Sequence, residues 1–134
     1  MSTIDPAHEA AMLSLCGRFL DAIVAGDTDT VRAIYAPNCV IWHNNTGTTE
    51  TVDENMRTLE AVPKVIRGFR YDDVVRRATA DGFIEQHVVR GKAPSGDEIR
   101  IPAVLICTVV EGRITRLDEY LDSAHLAPLT GRGR

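Results

Sequence analysis

A chain of 134 residues, 44% hydrophobic and 25% charged, is long enough to bury a core and too apolar to remain disordered. A net charge of −4 without a long basic run excludes nucleic acid and anionic membrane as main partners. No apolar run approaches the roughly 18 residues of a membrane span, and the N-terminus does not read as a secretory signal. Cys16, Cys39 and Cys107 lie far apart in apolar patterns without Cys-x-x-Cys spacing, which predicts reduced core thiols in a cytoplasmic protein. The expectation is a single domain over residues 1–134.

Asp5-Pro6 predicts a helix start, with a capping residue followed by proline in the first turn. Met12, Cys16, Phe19, Leu20, Ile23 and Val24 then recur at helical spacing until Gly26. Asp27 predicts the cap of a second short helix carrying Val31, Ile34 and Tyr35, stopped by Pro37. Cys39 to Asn44 reads as a strand, rich in β-branched and aromatic residues, that runs into a loop over Asn45-Thr46-Gly47-Thr48. Thr51-Val52-Asp53-Glu54 is a capping box opening a third helix, kinked or ended by Pro63. From Phe69 onward the pattern is β: strands over 69–78, 83–90, 99–110 and 113–121, with turns at Asp81-Gly82, Pro94-Ser95-Gly96 and Glu111-Gly112. Helices followed by long meandering strands predict an α+β fold whose helices cover one concave side of the sheet and leave room for a cavity. In the last strand, alternation puts Leu117, Glu119 and Leu121 on one face. A carboxylate between two leucines is either an outward charge or a group held in an apolar pocket, where it can serve as acid or base.

Arg18-Phe19-Leu20-Asp21 through Gly26-Asp27, then Ile34-Tyr35-Ala36 and Val40 to Asn44, resemble the first half of the nuclear-transport-factor-2-like superfamily. Gly112-Arg113-Ile114 through Asp122 resembles its closing strand. Within it the chain most resembles the SnoaL-like group of polyketide cyclases, with ketosteroid isomerases and limonene epoxide hydrolases as cousins. The resemblance implies a cone-shaped fold, a curved mixed β-sheet wrapped around three N-terminal helices, with an interior pocket and a homodimer packed through the sheet. The isomerases' oxyanion-hole tyrosine falls on Phe19 and their aspartate base on His43. A phenyl ring cannot donate that hydrogen bond, so their mechanism is not intact here. The epoxide hydrolases' water-positioning asparagine also falls on His43, their aspartate on Glu119 and their tyrosine on Ile41. Their Arg-x-Asp pair falls near Gln86 and Val88 and is lost. The acid or base of SnoaL-type cyclases matches Glu119.

His43 and Glu119 are therefore the candidate catalytic pair, since histidine titrates near neutral pH and a neighbouring carboxylate would couple to it. Gln86 and His87 are adjacent, so only one of them can face inward; alternation leaves both open, and the resemblance favours Gln86 as a substrate-orienting donor. Phe19, Ile41, Leu105 and Leu117 are candidates for apolar walls. His43, His87 and Glu119 could in principle form a metal set, but no local ligand spacing supports one. Neither a phosphate-cradling glycine loop nor a nucleophile elbow is present, and no cofactor is expected. The expected function is binding of a small apolar organic molecule with cofactor-independent acid–base chemistry: isomerisation, cyclisation, or addition or loss of water. The competing expectation is a non-catalytic binding or dimerisation module.

Overall fold

A computed structural model describes residues 4–130. Helix α1 spans Pro6–Ala25: the Asp5 carboxylate accepts the His8 backbone N–H, and Gly26 ends the helix at φ +71°, a conformation glycine adopts without strain. Asp27 caps α2 (Thr28–Ile34) through the Thr30 N–H. The chain then turns directly into β1 (Tyr35–His43). Tyr35, expected on the helix, is already extended, and Pro37, expected as a stop, lies inside the strand. The pairing register shifts between Tyr35 and Val40, so a residue without an N–H falls where the ladder is interrupted.

The segment read as a loop over 45–48 runs at Thr48 into a short strand, β2 (Thr48–Glu50), paired antiparallel to β1 with Ile41 opposite Glu50 and His43 opposite Thr48. The Gly47 N–H donates to the His43 carbonyl at 2.9 Å and closes the turn between them. The capping box forms as expected and opens α3 (Val52–Val65). Pro63 does not end α3; so close to its end it forfeits one backbone bond, and the helix runs two residues further. Four long strands follow: β3 (Arg67–Thr79), β4 (Gly82–Lys92), β5 (Glu98–Val110) and β6 (Arg113–Leu121). A short 3-10 turn (Ser123–Leu126) and α4 (Ala127–Thr130) come last.

The sheet order is β2-β1-β6-β5-β4-β3, with β1 and β6 parallel and the other neighbours antiparallel. It is a mixed six-stranded sheet that curves around the helices and stays open between β2 and β3. A Cβ at Gly82 would collide with the Cys107 carbonyl, so the β3–β4 turn can pass over β5 only as glycine.

The main core packs α1 and α2 against the inner face, with Phe19, Leu20, Ile41, Phe83 and Ile114 fully buried. Phe19, Ile41, Leu105 and Leu117, expected as cavity walls, all belong to this core. Phe19 projects from α1, and Ile41, Leu105 and Leu117 pack in the same cluster from the sheet; the open space lies further along beneath α3. All three cysteines are buried free thiols. No helix among the described residues is long and apolar enough to cross a membrane.

Candidate functional site

The parallel β1–β6 register places His43 directly opposite Glu119, and the β1–β2 hairpin brings Glu50 to the other side of the same imidazole. His43 Nδ1 lies 2.8 Å from Glu119 Oε1, and Nε2 lies 2.6 Å from Glu50 Oε1. A neutral imidazole carries one N–H, so only the cation can donate to both carboxylates. The hydrogen bond to Glu119 is the largest cause lifting the His43 pKa to about 9; burial opposes it, and the Glu50 bond and both negative charges add to it. For Glu50 burial alone would raise the pKa. Hydrogen bonds from His43, Asn55 and Thr58 outweigh it and hold the carboxyl below its ordinary value. Asn55 is itself buried and accepts the Tyr35 hydroxyl at 2.7 Å, which ties Glu50 to the core.

This triad sits at the head of a cavity of about 400 Å³. Its walls are mostly apolar: Leu59 and Val62 from α3, Phe69 and Tyr71 from β3, Ile101 from β5 and Leu121 from β6. Leu126 and Leu129 from the C-terminal turn and helix cover one side, and Asn45, Thr46 and Thr48 form a polar rim. Asn44 fixes the rim to β6, donating to the Leu121 carbonyl and accepting the Leu121 N–H. The arrangement can hold an apolar molecule and present it with a cation and two carboxylates.

His43 and Glu119 are therefore brought together at this cavity, joined by Glu50, while the other candidates are placed elsewhere. Gln86 is exposed on the outer face of the sheet, opposite Val75 and Val104. The inward parity of β4 is set by Phe83, which is fully buried and takes Glu85 and His87 with it. His87 is the buried member of the adjacent pair, but it lies behind the cavity wall, stacked on Tyr71 with ring centroids 4.1 Å apart. Its Nδ1 donates to Glu85 Oε2 at 2.6 Å, and Glu85 Oε1 accepts Arg76 Nε at 2.5 Å. Burial would raise the Glu85 pKa; these hydrogen bonds and the neighbouring charges reverse the sign and hold it low. Among the described residues no three histidine, cysteine or acidic side chains are grouped to hold a metal.

Glu50 carries no mark that stands out in the sequence. Glu50 follows a glycine turn and immediately precedes the capping box, and only the hairpin itself reveals that it folds back on His43. Tyr71 could have been found from the Phe69-x-Tyr71 alternation, which puts both rings on the inner face.

A curved mixed sheet around helices, with polar groups at the head of an apolar cavity, defines a class of α+β fold. The chain belongs to the SnoaL-like domain family, whose model matches residues 17–117. Among solved structures it is similar to a Xanthomonas campestris protein provisionally named a polyketide cyclase, with TM-score 0.78 and 21% identity over 87% of this chain and 94% of that one. It is also similar to PrhC from Penicillium brasilianum, with TM-score 0.81 and 12% identity over 93% and 89%. A third is a protein of Bacillus subtilis provisionally named an isomerase, with TM-score 0.76 and 15% identity over 91% and 94%. At these identities the likeness establishes the fold alone. No curated protein sequence matches the chain.

Proposed function

We propose that the protein is a cofactor-independent acid–base enzyme acting on a small, largely apolar organic molecule, in an isomerisation, cyclisation or hydration–dehydration. The observation that carries this reading is the His43 imidazole held between Glu50 and Glu119 at the head of the apolar cavity. With its pKa near 9, His43 is a cation at neutral pH and cannot be the base. That role goes to Glu119: Oε1 is held by His43, while Oε2 accepts no hydrogen bond from the described residues. Glu119 takes a proton from a carbon beside an electron-withdrawing group, and the electron pair moves onto that group. Return of the proton at another carbon isomerises the substrate; attack of the carbanion on a second carbonyl closes a ring. Glu50, already engaged by three donors, keeps His43 charged and in place.

The test is hydrogen–deuterium exchange into a panel of small apolar ketones in heavy water, read by mass spectrometry. Glu119→Gln is expected to lower the exchange rate by roughly 10²–10⁴-fold. His43→Ala is expected to lower it far more than it lowers the melting temperature. Exchange at the wild-type rate in Glu119→Gln would remove Glu119 from the mechanism. The saturation of both His43 nitrogens also suits a non-catalytic binding module, in which the triad is scaffolding. Ketone binding with no exchange above the uncatalysed rate would favour that reading.

A further inference from the structure

Tyr71 lines the same cavity as Glu119, and its ring is fixed from two sides. Phe69 meets it edge-on at 5.2 Å, and His87 stacks on its face at 4.1 Å with an interplanar angle of 23°. Its hydroxyl, by contrast, is not used by the protein: nothing among the described residues exchanges a hydrogen bond with it. Nor is it sealed away. The one buried side-chain polar atom without a partner among the described residues is His125 Nδ1, so the Tyr71 oxygen keeps accessible surface, on a residue that lines the cavity. Burial, then the carboxylates of Glu119 and Glu85, hold the phenol well above its ordinary pKa, so it remains a donor.

The ring's support is costly. Glu85 is fully buried, and it is held charged there by Arg76 on one oxygen and His87 on the other. A buried ion pair is a poor way to add stability, because desolvation consumes most of the attraction. What this one achieves is a fixed imidazole plane against which the Tyr71 ring lies. A ring-fixed, unspent donor within the electrostatic reach of a carboxylate base is the arrangement that stabilises negative charge developing on a ligand oxygen.

We propose that Tyr71 is the donor for the ligand's oxygen, and that the Glu85–His87 pair is the device that positions it. This rests on the acid–base reading above and narrows its substrate. The molecule carries an acceptor oxygen next to the carbon whose proton leaves, which makes it a ketone, ester or enolisable aldehyde rather than a hydrocarbon or an amine. As Glu119 takes the proton, the C–H electron pair forms the C=C bond, and the carbonyl π pair moves to the oxygen that Tyr71 holds.

The probe is acetophenone labelled with ¹³C at the carbonyl, bound to the full chain and read by isotope-edited infrared difference spectroscopy. In the wild type the bound C=O band is expected at lower wavenumber than in an apolar solvent. Tyr71→Phe keeps the ring and its stack; it is expected to lose the shift and to weaken binding by about ten-fold. Glu119→Gln is expected to keep the shift. His87→Gln preserves a donor to Glu85 but removes the stack, and a broadened band is expected for the bound probe. An unchanged shift in Tyr71→Phe overturns the role of Tyr71, and an unchanged band in His87→Gln overturns the positioning. A wild type with no bound band overturns both. A Tyr71-dependent shift in a protein that catalyses no exchange upholds the donor while the acid–base reading fails. Catalysed exchange with a Tyr71-independent band does the reverse.

Discussion

At the scale of single residues, His43 is defined by having a carboxylate on each ring nitrogen, at 2.8 and 2.6 Å. Both bonds need the protonated ring, so folding favours the cation and lifts its pKa from 6.5 to about 9. Below about pH 6.5 the ring is protonated folded or unfolded, and the folded state keeps the full benefit of its two partners. As pH rises through about 9 the folded ring loses its proton, and that contribution to stability disappears. We expect the His43 ring signal in NMR to titrate with a midpoint near 9, and denaturant stability to fall through the same window in the wild type but not in His43→Asn. A midpoint near 6.5 would mean that the two carboxylates do not hold the charge. His43 and Glu119 were legible in the sequence, because one ends a β-branched, aromatic strand and the other stands between two leucines of the same face. Glu50 was not, because nothing in a threonine-rich turn says which carboxylate folds back on an imidazole. Gln86 and His87 differ only in parity, and the buried Phe83 that decides it could not be recognised as the anchor before the hairpin was seen.

At the scale of elements, β3 shows how one residue re-aims a strand. Asp73 has φ +54°, and the β3–β4 register shifts between Asp72 and Val75. Before the shift the odd residue Tyr71 faces the cavity; after it the even residue Arg76 faces inward to Glu85. Without the bulge, one of the two would point to solvent. Aspartate tolerates left-handed backbone better than most residues, whereas a β-branched side chain does not. We therefore expect Asp73→Val to lower unfolding stability by about 1–2 kcal/mol, and Asp73→Gly to leave it within about 1 kcal/mol, both read by urea denaturation. Equal stability of the valine and glycine variants would show that the bulge moves elsewhere at no cost. The last four strands were readable to within about two residues, since alternation and turn residues mark both ends of each. Three residues of β2 are too few for any period, and Pro37 obscured the start of β1 because an isolated sequence does not show where a ladder skips. The bulge at Asp73 was invisible for the same reason: its only sign is the pairing.

At the scale of the whole molecule, the outer face of the sheet is the surface that the helices leave uncovered. The registers align Val75, Gln86, Val104 and Tyr120 in one row across β3, β4, β5 and β6, and Ile84, Ile106, Asp118 and Trp42 in the next across β4, β5, β6 and β1. Val75, Ile106 and Tyr120 are each about 40% exposed, and Trp42 packs edge-on against Tyr120 at 5.3 Å. Adjoining rows of exposed apolar side chains favour burial against another surface. A two-fold partner presenting the same rows would supply that surface with like against like. We propose that this face joins two copies of the chain, with Gln86 at the centre of the apolar rows as a hydrogen-bonding group between subunits. Sedimentation at tens of micromolar is then expected to give a dimer. Ile106→Asp, which places a charge in the second row without touching the cavity, is expected to give a monomer that still binds acetophenone. A wild-type monomer at that concentration would sink the proposal. A monomeric Ile106→Asp that no longer binds the probe would mean that the cavity depends on the partner, because the sheet carrying His43 and Glu119 on its inner face is the same one that the dimer braces from outside.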